Sequence, residues 1–127
     1  MQNYTQSAGD TELIAAFLSG KSEQTLALFQ YFVQQYARLG NIMLHPTKTM
    51  IAIGHPDKRV AWITQLGKNF INVVFPFKEA YYDNLCFTKI GLVPGSTSQV
   101  NHHFRMYSTD DLTDEVLKFM RLSLEQH

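Results

Sequence analysis

Apolar residues recur at two different spacings along this chain, and the spacing changes at Gly40. Before it, Leu26, Phe29, Val33 and Tyr36 fall three or four residues apart, and Leu28, Phe32 and Leu39 widen the stripe. That is one apolar face of a helix. Ser22 is a suitable N-cap for it, and Gly40–Asn41 a suitable stop. The stripe reads as core. A shorter helix is predicted upstream over DTELIAAFLSG, with Asp10 as N-cap and Gly20 as its end. Residues 1–9 are polar and aperiodic, and read as a loose tail before a single domain over 10–127.

After Gly40 come IMLH, TKTMIAIG, RVAWITQL, NFINVVFPF, FTKIGLV and QVNHHFRMY, short runs rich in β-branched and aromatic residues. HPT, GHPDK, GK and PGSTS separate most of them, which is the punctuation of an antiparallel sheet. In HPDK, Pro56 and Asp57 suit the bend of a hairpin. KEAYYDNL is too short in period to assign. Ser108 then opens STDD, a capping-box pattern, and Asp110, Asp111, Asp114 and Glu115 load the start of a closing helix. Leu112, Val116, Phe119 and Met120 form its stripe. The fold class predicted is α+β: N-terminal helices, a mainly antiparallel five- to six-stranded meander sheet, and a C-terminal amphipathic helix packed on one sheet face.

At 127 residues the chain suits one domain with one core, and 45% apolar content argues against disorder. No apolar run approaches the roughly 20 residues of a membrane span. MQNYTQSAGD has neither the basic start nor the apolar stretch of a signal peptide, so a cytoplasmic, non-membrane protein is expected. A single cysteine, Cys86, excludes an intrachain disulfide and a Cys-rich zinc site, and its apolar neighbours suggest a buried, inert thiol. Zero net charge argues against general nucleic-acid affinity. The charge is nonetheless uneven. Gln24 to Lys78 holds six basic residues (Arg38, Lys48, Lys58, Arg59, Lys68, Lys78) and one acid, Asp57, whereas Glu79 to His127 holds seven acids and four bases. Either these charges mix in space, or one sheet face is positive and receives an anion.

Candidate chemistry centres on VNHHFRMYSTDD. In a strand, Val100, His102, Phe104 and Met106 share one face, and Asn101, His103, Arg105 and Tyr107 the other. His102 and His103 therefore point apart and cannot jointly hold a metal, so no metal site is expected. His102, on the apolar face, reads as a core histidine. His103 and Arg105 read either as a solvated face or as part of an anion-binding surface, where Arg105 could grip a carboxylate or phosphate. Lys48 and Lys68 lie at strand ends, where their side chains could converge on it. Trp62, mid-strand in VAWIT, is either core or a stacking platform. The glycines are isolated, no serine has a nucleophile-elbow context, and the acids sit where capping explains them.

Four stretches carry a resemblance: YARLG, PTKTMIAI, INVVFPF and HHFRMYSTDDLTDEVLKFM. On them the chain, over about Glu12 to Leu124, resembles an uncharacterised bacterial domain-of-unknown-function family. Its hallmark is a His-His-aromatic strand followed by a Ser-x-x-Asp-Leu capped helix. The resemblance implies a compact α+β domain without an assigned activity, and picks out Thr47, Lys48, His102 and His103. The chain departs from it at Phe119, where relatives often carry tryptophan.

The function expected is a non-enzymatic binding or accessory domain. A basic, aromatic-bearing sheet face or cleft would take an anionic small molecule or an acidic protein segment. Lys48, Lys68, His103 and Arg105 would supply charge, Trp62 stacking, His102 buried orientation, and Thr47 enters through the resemblance. One alternative is a small hydrolase or isomerase with His102 or His103 as general acid/base; a second is a weak nucleic-acid binder. No cofactor is expected. A homodimer is compatible with a sheet whose second face needs covering, and FPF at 75–77 with Tyr81–Tyr82 could supply an exposed apolar patch.

Overall fold

The computed structural model describes residues 8–84, 86–92 and 98–125. Two helices come first, α1 (Ala8–Leu18) and α2 (Glu23–Leu39). Six strands follow: β1 (Met43–Pro46), β2 (Ile51–His55), β3 (Lys58–Leu66), β4 (Ile71–Phe77), β5 (Lys89–Leu92) and β6 (Val100–Met106). A 3-10 turn at Thr109–Asp111 leads into α3 (Asp114–Glu125). The fold is α+β, with a fully antiparallel six-stranded sheet between the terminal helices. No helix among the described residues is long and apolar enough to cross a membrane.

Helix boundaries follow from capping. Ser22 accepts a hydrogen bond from the Thr25 N–H at 3.1 Å, closing the N-terminus of α2. Gly20 (φ 75°) makes the tight connection between α1 and α2 in the left-handed region, where a side chain would be strained. α1 begins at Ala8 rather than after Asp10, which places Asp10 in its first turn, where the helix dipole favours an acid. The closing helix also starts later than STDD suggests. The Asp111 carboxylate accepts from the Tyr107 and Ser108 N–H groups at 2.7 and 3.1 Å. This folds the chain into one 3-10 turn, and α3 restarts behind Thr113, whose hydroxyl accepts from the Val116 N–H.

The strand order is β1-β2-β3-β4-β6-β5. The first four strands form the expected meander. The last two exchange places: β6 pairs with β4 along its whole length, and β5 lies outside it as an edge. α2 and α3 pack against one sheet face. Leu28, Phe32, Val33 and Tyr36 of α2 and Val116, Phe119 and Met120 of α3 meet Ile51, Ile53, Ile63, Val73, Phe75, Phe104 and Met106 in one continuous core. At roughly 1.5–3 kcal/mol per fully buried large side chain, this core is the main source of stability. Inside it, Ser123 donates to the Met120 carbonyl, so Tyr36 donates to Ser123, and both buried hydroxyls are satisfied. Phe75 and Phe77 belong to this core, which corrects the expectation that FPF is exposed. Of that predicted patch, only Tyr82 is largely exposed, at 73%.

Candidate functional site

Parity on β6 divides its residues as the alternation predicts. Val100, His102, Phe104 and Met106 are buried against the helices, and Arg105 is exposed on the opposite face. His102 is fully buried. Its Nδ1–H donates to the Val100 carbonyl at 3.0 Å, and its Nε2 accepts from the Tyr81 N–H at 3.1 Å. That pairing requires the neutral ring, and burial likewise lowers its pKa below the usual 6.5. Phe77, Tyr81 and Phe87 surround the ring at centroid distances of 5.1, 5.4 and 4.9 Å. His102 thus pins Tyr81 and Phe87 over the end of the core. Both of its nitrogens are engaged by backbone groups, so it has no free atom with which to act as an acid or base. Cys86, in the same segment, is half-buried, and its thiol is pushed up to about 12 by burial and by the neighbouring Glu115 carboxylate, which leaves it inert at neutral pH.

The opposite face of the sheet is the more informative surface. Strand register aligns His45, Ala52, Trp62, Val74, His103 and Lys89 in one row across all six strands. Five spacings of about 4.8 Å make that row roughly 24 Å long. Trp62 stands near its centre, half-buried, with Ala52 and Val74 beneath its flanks buried on either side. Arg105 lies one register step along from His103, with its guanidinium 4.3 Å from the centroid of the Phe70 ring. Phe70 in turn leans on Tyr107 at 5.6 Å. A guanidinium held over a ring still presents its N–H edge outward, in the geometry that suits a carboxylate. Arg59, opposite Gly54, adds a third permanent cation to this face with Lys89 and Arg105. None of the six strands contains an aspartate or glutamate.

His103 lies half-buried between Val74 and Lys89 in this row. Burial lowers its pKa, and the Lys89 and Arg105 charges lower it further, so the ring is neutral at pH 7. Near Trp62 the surface is kept in shape by a bulge. Thr64 is the extra residue where the β3–β4 register shifts, and Asn72 Nδ2 donates to its hydroxyl at 2.8 Å.

The predicted residues do not all gather there. Trp62, His103 and Arg105 share the outer face, whereas His102 faces the core. Lys48 and Lys68 sit in the β1–β2 and β3–β4 turns, both exposed at one end of the sheet. Thr47 is occupied by its own turn: its hydroxyl accepts from the Thr49 and Met50 N–H groups and donates to the Met50 carbonyl. The Lys68 turn is tied to α2, with Ser22 and Thr25 hydroxyls donating to the Lys68 and Gly67 carbonyls, each at 2.7 Å. Arg59 and Lys89 join the outer face without having been singled out from the sequence. Their signal lay in strand parity, legible only once the bulges and the strand order are known.

Comparison with family models, curated proteins and solved structures gives no match. The functional reading therefore rests on geometry.

Proposed function

We propose that this chain is a non-enzymatic binding domain whose outer sheet face receives an acidic segment of a partner protein. The observation that carries the reading is the outer face itself: a half-buried indole among Arg59, Lys89 and Arg105, with no carboxylate on any strand. An open sheet face suits an extended or helical segment bearing an aromatic or aliphatic anchor and flanking acids. A small molecule would want more concavity than a sheet face supplies. Two copies of the chain meeting through this face would oppose cations to cations, so charge complementarity favours an acidic partner over self-association. Zero net charge and only three permanent cations on the face weigh against a nucleic acid, whose backbone calls for a continuous basic track. The histidines support the same reading, since His102 is committed to the core and His103 has no acidic neighbour on its face to orient it as a base.

The test is fluorescence anisotropy with a labelled Glu-rich peptide carrying one aromatic residue, titrated at two ionic strengths against the native chain and Arg105→Glu. The expected result is binding that weakens with salt and by about tenfold or more on charge reversal, as one lost charge-assisted pair predicts. Salt-independent binding, equal affinity of the Arg105→Glu chain, or preference for a single-stranded oligonucleotide of the same charge would each overturn the reading.

A further inference from the structure

A second basic site borders that face at the other end of β3. β3 and β4 pair from Leu66–Ile71 only as far as Trp62–Val74; beyond it, Lys58–Val60 and Pro76–Lys78 run on without ladder contacts between them. Two local features account for the splay. Val60 is the extra residue where the β2–β3 register shifts, which bends β3. Pro76 has no N–H to give a neighbour on its β3 side, while β4 stays paired to β6 through Phe77–Val100. Between the separated strands is a cleft of about 170 Å³. That is roughly five to six times the volume a water molecule occupies in the liquid. Lys58, Arg59 and Lys78 line it together with Pro76, Phe77 and Gln99, and no carboxylate is among its lining residues.

We infer that this cleft is a binding site for a phosphate-type oxyanion, bordering the outer face and sharing Arg59 with it. Three positive side chains border one small cleft with no carboxylate among them, a lining that favours an anion. The C-terminal end of α3 explains only part of the cluster. His55 Nε2–H already donates to the Leu124 carbonyl at 3.0 Å, so that helix end has a partner of its own. The cations differ in use: Arg59 can hold two oxygens at once, whereas Lys58 and Lys78 act as point charges. A dianion is therefore preferred to a monoanion, and pyrophosphate to phosphate.

The experiment is an amide chemical-shift titration of the folded chain with inorganic phosphate and with pyrophosphate at constant ionic strength, repeated on Lys78→Ala, Arg59→Ala and Arg105→Ala. The expected result is saturable shifts confined to residues 58–60, 76–78 and 98–99, tighter for pyrophosphate. Affinity should fall about tenfold or more in Lys78→Ala and Arg59→Ala, and stay unchanged in Arg105→Ala. All three positions are exposed, so the native spectrum of each variant is retained as the control for folding. Linear, non-saturating shifts, or shifts spread equally over Lys48, Lys68 and Lys89, would overturn the site. Arg59 serves both surfaces, but Lys78 borders only the cleft and Arg105 lies outside it, so failure of this site and failure of the outer-face reading are separable.

Discussion

His102 and His103 are neighbours in sequence with opposite fates, and each has a testable consequence. Replacing His102 by alanine removes a fully buried ring and leaves the Tyr81 N–H without its acceptor. A loss of about 2–4 kcal/mol is expected, read as a lower thermal midpoint and, in the 78–88 segment, faster amide exchange. Its protonation has a definite sign. The folded-state pKa is depressed below 6.5, so below that value the unfolded chain binds more protons than the folded one. Stability present above about pH 6.5 is lost as pH falls toward the folded pKa. Thermal melts across that window should show a smaller pH slope for His102→Gln than for the native chain. In the proposed complex, His103 would act on binding. There an acidic segment would raise its pKa from that lowered value, so binding would take up a proton. Affinity for a Glu-rich peptide should rise as pH falls from 7.5 toward about 6, and His103→Gln should flatten that rise.

At the scale of elements, much was legible in the sequence because local chemistry decided it. Ser22 caps α2 as its spacing implies, and the alternation of VNHHFRM sorts β6 into its two faces. Other features depend on partners distant in the chain. Nothing in FTKIGLV says that β5 lies outside β6; that follows from the full pairing of β6 with β4. Lys48 and Lys68 looked like members of one basic surface, but turn residues have no parity to place them on a face. Arg59 was hidden for a related reason, since the extra residue at Val60 shifts the parity on which its face depends. Gly54 lies at that same shift. A Cβ there would meet the Lys58 carbonyl oxygen at 2.0 Å and the Arg59 Cα at 2.7 Å, both of them backbone. Gly54→Ala should therefore force β2 and β3 apart, lowering stability by about 1–3 kcal/mol in chemical denaturation. It should also disturb the amides of 58–60 more than those of β6.

For the whole molecule, the helices gather on one side of the sheet, and the basic residues of the strands stand mainly on the other. The acids stay in helices, turns and the connection after β4. Zero net charge therefore conceals a molecule with a positive sheet face, the surface an acidic partner would require under the proposed function. Trp62 is the chain's single tryptophan and sits at the centre of that face, so its emission reports directly on occupancy. The decisive measurement is a titration of Trp62 fluorescence with a Glu-rich, aromatic-bearing peptide and with a Lys-rich peptide of the same length. The expected result is a saturable change in emission with the acidic peptide, lost at high salt and absent with the basic one. Unchanged emission while the acidic peptide binds, or an equal response to the Lys-rich peptide, would contradict it.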